Sequence, residues 1–198
     1  LQALSSQINP HFLYNTLDTI IWMAEFQDSQ RVVQVTKSLA TYFRLALNQG
    51  KDLISLSDEI NHVRQYLFIQ KQRYGDKLDY EINENPAFDN LVLPKLVLQP
   101  LVENALYHGI KEKEGQGHIK ITVQKQDLGL VIRIEDDGVG FQASGDSSQS
   151  QLKRGGVGLQ NVAQRLKLHF GEDYHMKIDS APLKGTTVKI CINRIETS

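Results

Sequence analysis

The apolar pattern of this chain changes period once, near Arg73, and that switch restricts the fold more than any other feature. Upstream the period is helical. Leu4, Ile8, Leu17, Ile20 and Ala24 form one stripe, and Val32, Val35, Leu39, Tyr42, Phe43 and Ala46 form a second. Ile60, Val63 and Leu67 form a third, opened by Ser55 with Asp58 three residues later in the manner of a capping box. The pattern breaks at Glu25–Ser29 and again at Asn48-Gln49-Gly50-Lys51. Three helical pieces of this size close little core alone, and amphipathic hairpins commonly solve that by dimerising into a bundle.

Downstream the period becomes that of strands. Residues 78–83, LDYEIN, alternate. A helix is predicted over 94–110, opened by Pro94 in its first turn. Two alternating runs follow, 118–124 and 130–135, joined at Asp127-Leu128-Gly129. The Ser/Gly/Gln-rich stretch Gln142–Arg154 has no period and reads as a loop. A helix over 158–170 and strands over 174–179 and 186–192 complete the pattern. The class is therefore α+β, with an antiparallel-rich sheet covered by helices on one face.

A length of 198 residues allows one large domain or two small ones. The charges, 22 Lys+Arg against 23 Asp+Glu, leave a net −1, so there is no basic excess for a nucleic-acid backbone. Cys191 is the one cysteine, which excludes an intrachain disulfide and a cysteine-rich zinc site. No apolar stretch approaches the roughly 18 residues of a membrane span. The sequence opens at Leu1, already inside a helical pattern, and this predicts further sequence upstream.

Three motifs carry chemistry. In EDDGVGF, residues 135–141, a carboxylate follows a strand and two glycines let backbone approach a flat ligand. A hairpin turn would use Asp-Gly as well, but no alternating strand follows Phe141. In RGGVGLQNVAQRL, residues 154–166, glycines precede a helix, leaving free N–H groups at a positive dipole end that suits phosphate. A plain glycine-rich entry to a helix reads the same way. In LQPLVENALYHG, residues 98–109, Glu103 and Asn104 interrupt an apolar helix and must find partners. An internal hydrogen-bond network would satisfy them, and so would a hydrated Mg²⁺ on the Asn104 oxygen.

Taken in order and spacing, the three motifs resemble the N, D and G boxes of the ATPase superfamily shared by gyrase, MutL and histidine kinases, the Bergerat fold. The resemblance covers roughly residues 78–194 and implies a helix-and-sheet sandwich that binds ATP with Mg²⁺. It implies that Asn104 coordinates Mg²⁺, that Asp136 accepts from the adenine amino group, and that Gly138 and Gly140 floor the adenine pocket. Gly156, Gly158, Leu159 and Asn161 would form the phosphate-side loop, Thr186 would stand beside Asp136, and residues 142–154 would be the lid.

A fourth motif, QINPHFLYNTLDTIIW at residues 7–22, places Asn15 one turn after His11 on the same helical face. The string PHFLYNTL resembles the phosphoacceptor box of LytS/YesM-type sensor histidine kinases. Residues 54–78 resemble the second dimerisation helix of that family, and LVLPKLVLQPLVENALYHGI its N-box region, so the likeness runs along nearly the whole chain. It implies dimerisation and phosphoacceptor helices over 1–75 and an ATP-binding catalytic domain over 78–194. It further implies a homodimer, autophosphorylation of His11, transfer to an Asp of a response-regulator receiver domain, and a place as the cytoplasmic portion of a membrane sensor.

Two positions depart from common patterns. Phe12 stands where many other kinases place an acid after the histidine, so the general base is unassigned; Asn15 orients a ring but takes no proton. Tyr107 stands where the superfamily often has Lys, which passes phosphate contact to His108, Lys111 or Arg154. Two other classes compete: a gyrase- or MutL-like ATPase that phosphorylates no protein, and a dimer module that binds nucleotide without turnover.

Overall fold

The computed structural model describes residues 10–47, 51–127, 129–142 and 156–193. Helix α1, Pro10–Glu25, and helix α2, Ser29–Leu47, form a hairpin. A short strand β1, Leu53–Ser55, leads into helix α3, Leu56–Tyr74. The Ser55 hydroxyl accepts the Asp58 N–H at 3.1 Å, so the expected N-cap is present. Acidic Asp58 and Glu59 fill the first turn and basic Lys71 and Arg73 the last, complementing the helix dipole. The break at residues 48–50 and, of the expected lid 142–154, residues 143–154 lie outside the described residues.

Strands β2, Leu78–Asn83, β4, Gly117–Gln126, β5, Gly129–Asp136, β6, Tyr174–Ser180, and β7, Thr186–Ile192, build a five-stranded sheet in the order β2-β4-β5-β7-β6. Only β2–β4 is parallel; the other pairings are antiparallel, as the alternating runs suggested. Ile119, Ile121, Ile132, Ile134, Ile178, Val188 and Ile190 face the core. The opposite face carries ion pairs such as Lys120–Glu81 at 3.1 Å and Lys177–Asp179 at 2.7 Å. One apolar and one charged face require cover on a single side. That cover is helix α4, Gln99–Asn104, and helix α5, Gly156–Phe170.

The helix expected over 94–110 is corrected. Pro94 ends strand β3, Val92–Pro94, and pairs with Leu53 of β1. Leu96 then turns left-handed at φ 57°, and α4 begins only at Gln99. From Ala105 to Ile110 the winding widens to a π-helix, a departure frequent at functional sites.

The helical arm and the sheet share one apolar core. Phe12 of α1 packs its ring on Tyr42 of α2 at 4.8 Å and on Tyr66 of α3 at 5.1 Å.

Candidate functional site

Between α4, its π-helical extension, α5 and the core face of the sheet lies a cavity of about 310 Å³. Apolar Leu101, Ala105, Ile134, Phe141, Leu159, Ile178 and Val188 line it, with Asn104, His108, Asp136 and Thr186 as the polar groups. An apolar slot with few convergent polar groups is the usual form of a small-molecule site.

Asp136 ends β5 beneath the cavity. Burial pushes its carboxyl up to about 6, against the pull of N–H groups from Gly138 and Thr186. The Gly138 N–H donates to Asp136 Oδ1 at 2.9 Å. A Cβ on Gly138 would collide with the Gly109 backbone, so only glycine lets the two segments close over the carboxylate. Gly140 is left-handed at φ 58° and abuts the Ala181 carbonyl. The neighbouring Asp137 faces away from this chemistry. It accepts from the His118 N–H at 2.7 Å and from Lys113 Nζ at 2.8 Å, tying down the start of β4.

Thr186 opens β7 directly opposite Asp136 in the sheet register. Its Oγ1 lies 3.0 Å from Ser180 Oγ, which also accepts the Phe141 N–H at 3.0 Å and donates to the Gly185 carbonyl at 3.1 Å. Ser180 lies outside every sequence motif, and Phe141 and Gly109 close motifs 135–141 and 98–109 without a role having been assigned to them.

Asn104 reaches the cavity from the end of α4, and its buried Nδ2 has no partner among the described residues. Glu103 beside it accepts from Gln99 Nε2 at 3.0 Å, and burial raises its carboxyl above the ordinary range. The Asn104 carboxamide oxygen is a hard neutral ligand of the kind Mg²⁺ takes alongside water and phosphate oxygens. No group of three acidic, His or Cys side chains converges among the described residues.

The structure thus gathers Asn104, His108, Asp136, Gly140, Leu159 and Thr186 around one cavity, with Gly138 beneath. Gly158 and Asn161 lie exposed on the first turns of α5, which Gly156 begins. Lys111 is exposed and does not line the cavity; its ammonium sits 6.0 Å from the Tyr107 ring centroid. Arg154 lies outside the described residues.

His11 and Asn15 sit apart from this cavity, on α1. Asn15 Nδ2 is 3.1 Å from each ring nitrogen of His11, and the ring is exposed. No helix among the described residues is long and apolar enough to cross a membrane.

Two family models match the chain. A histidine kinase model covers residues 1–78, and the model of histidine kinase-, DNA gyrase B- and HSP90-like ATPases covers 91–195. The sensor histidine kinase YesM of Bacillus subtilis is 35% identical over 192 residues, which are 97% of this chain and 33% of YesM. The protein YwpD of the same organism is 38% identical over 98% of this chain and 70% of its own length. The sensor histidine kinase BtsS of Escherichia coli is 33% identical over 96% of this chain and 32% of BtsS. The chain thus spans about a third of YesM and of BtsS. Among solved structures, the histidine kinase domain of the Erythrobacter litoralis EL346 blue-light activated kinase superposes with a TM-score of 0.56 at 18% identity, over 97% of this chain and 92% of that one.

Proposed function

The chain belongs to the LytS/YesM-type sensor histidine kinases, and we propose that it transfers the γ-phosphoryl group of ATP to its own His11 and thence to an Asp of a response-regulator receiver domain. The observation that carries this reading is the convergence of Asn104, Asp136, Leu159 and Thr186, from four separate segments, on one apolar cavity in a chain that also presents an exposed, Asn-paired histidine.

In this reading the adenine enters the apolar cavity and its amino group donates to Asp136, with Thr186 alongside. Excluding water there strengthens a charge-assisted hydrogen bond. Asn104 would hold Mg²⁺ through its carboxamide oxygen, and the metal would supply positive charge against the phosphate oxygens. Phosphate contact falls to His108, which lines the cavity, to Lys111 or to Arg154, and the start of α5 at Gly156, Gly158, Leu159 and Asn161 borders the phosphates. The neutral His11 ring uses the lone pair of one nitrogen to form a P–N bond as the bond from the γ-phosphorus to the β,γ-bridging oxygen breaks. ADP leaves, and the ring proton is lost to solvent. Asn15 holds the ring through that change. In-line positioning supplies much of the acceleration.

Residues 1–75 serve as the dimerisation and phosphoacceptor arm of a homodimer, and residues 78–194 as the catalytic domain. The whole acts as the cytoplasmic portion of a membrane sensor.

Incubation with γ-labelled ATP and Mg²⁺ tests the reading. Label should be acid-labile and alkali-stable, as a P–N bond is, and absent from His11→Gln, which still binds ATP. Label that persists in His11→Gln overturns His11 as acceptor. ATP hydrolysis without any label supports a plain ATPase, and binding without turnover supports a nucleotide-binding dimer module.

A further inference from the structure

We infer that Glu59 is a positioning residue for Asn104, acting through the backbone turn that launches α4. This rests on the reading of Asn104 as the Mg²⁺ ligand.

Glu59 lies on α3, in the arm, and is fully buried. Both carboxylate oxygens are spent on backbone far downstream. Oε2 accepts the Leu96 N–H at 2.9 Å and Oε1 the Leu98 N–H at 2.8 Å. Burial raises the carboxyl, and the N–H groups of Leu98, Leu96 and Val97 together with the charge of Arg165 pull it back. Arg165 belongs to α5, so the carboxylate stands among three helices.

The turn it holds is a strained one. Leu96 is left-handed at φ 57°, a conformation that costs a non-glycine residue free energy. Such geometry persists only where surroundings dictate it, and Glu59 grips the chain at Leu96 itself and again two residues later. The Leu98 carbonyl then accepts the N–H groups of Leu101 and Val102, starting α4, which ends at Asn104. The helix runs only from Gln99 to Asn104, so the direction set at Leu98 carries directly to the place where Asn104 stands. Glutamine at 59 would turn an NH₂ donor toward one of these N–H donors, losing a bond and adding repulsion. Aspartate would keep the charge but fall one methylene short. Neither substitution touches Asp136 or the adenine side of the cavity.

The test is nucleotide affinity, measured with fluorescent ATP on the full chain in EDTA and across a Mg²⁺ titration. The gain in affinity that Mg²⁺ confers should shrink at least about fivefold in Glu59→Gln and measurably in Glu59→Asp, as it does in Asn104→Ala. Metal-free affinity should stay within about twofold in both Glu59 variants, because the adenine contacts are intact. A role in folding alone would lower the number of binding sites and the melting temperature while leaving the Mg²⁺ gain per site whole. That result overturns the inference. Should Glu59→Gln melt below the assay temperature, the charge-retaining Glu59→Asp decides by the same measure. An Asn104→Ala protein that keeps its Mg²⁺ gain overturns the metal reading instead, and the role given to Glu59 falls with it.

Discussion

The Asn15 amide nitrogen lies 3.1 Å from both ring nitrogens of His11, one helical turn away. Only the unprotonated ring nitrogen accepts, and the amide stands equally near both, so the contact restrains the ring's orientation in either tautomer. It provides no base, since an amide takes no proton at neutral pH. Asn15→Ala should slow His11 phosphorylation about fivefold, the worth of about 1 kcal/mol for one hydrogen bond. ATP affinity should not change, because neither residue lines the cavity. The check is single-turnover labelling at saturating ATP beside a binding isotherm.

Asp136 should make nucleotide binding pH-dependent. Its carboxyl rises to about 6 in the folded protein, so it takes up a proton as pH falls through that value, and only the ionised form accepts from an amino group with full strength. Affinity should fall by up to about tenfold per pH unit below 6. Asp136→Asn should abolish this step and bind roughly 10- to 150-fold more weakly at pH 7.5, having lost a charged acceptor. The sign for stability is opposite: holding an ionised buried carboxylate costs free energy above pH 6, so the ligand-free Asn variant should melt no lower than the parent. Asp137→Asn should leave affinity near parental. Titration of fluorescent ATP from pH 5 to 8 reads all of this.

Legibility followed range along the chain. The switch near Arg73 exposed the α+β class because periods of 3.6 and 2 are local signals. Asn104, Asp136, Gly138 and Gly140 stood out because polar groups and glycines interrupt apolar runs, whereas Leu159 and Thr186 entered through the resemblance alone. The β1–β3 pair was hidden, since three-residue strands carry no alternation. Pro94 therefore looked like a helix opening although it closes a strand. Glu59 was hidden for another reason: on α3 it reads as a first-turn acid that complements the dipole, and its backbone partners lie 37 and 39 residues downstream. Ser180 likewise reads as a strand end until Thr186 and Phe141 come beside it.

The α1 face away from the core should mediate the dimer. Ile21 and Trp22 are each 57% exposed, Phe26 in the turn after α1 is 68% exposed, and the Trp22 and Phe26 rings meet at 4.6 Å. Together with Leu17 they form an apolar surface of the kind a partner helix covers. Light scattering should give about twice 22.4 kDa. Ile21→Glu should shift the mass toward the monomer and spare nucleotide binding. A parent protein that stays monomeric at micromolar concentration argues against this surface as the interface.

His62 should make the fold acid-sensitive. It is 1% exposed, stacks on Tyr42 at 4.3 Å with the planes 17° apart, and neither ring nitrogen has a partner among the described residues. Burial lowers its pKa from the ordinary 6.5 to about 4. The unfolded chain therefore binds the proton first, and stability is lost as pH falls from about 6.5 toward 4, by up to about 3 kcal/mol from this group. Asp136 shifts the other way over part of the same window, so a bare melting curve mixes the two. The difference between parent and His62→Phe isolates the histidine. Phenylalanine keeps the stack on Tyr42 and removes two unpaired polar atoms, so it should be near neutral or stabilising at pH 7.5. The advantage of His62→Phe should then grow as the buffer is taken to pH 5. An advantage that is constant with pH would mean that His62 gains its proton in the fold as readily as in the unfolded chain, and that the stack on Tyr42 tolerates the charge.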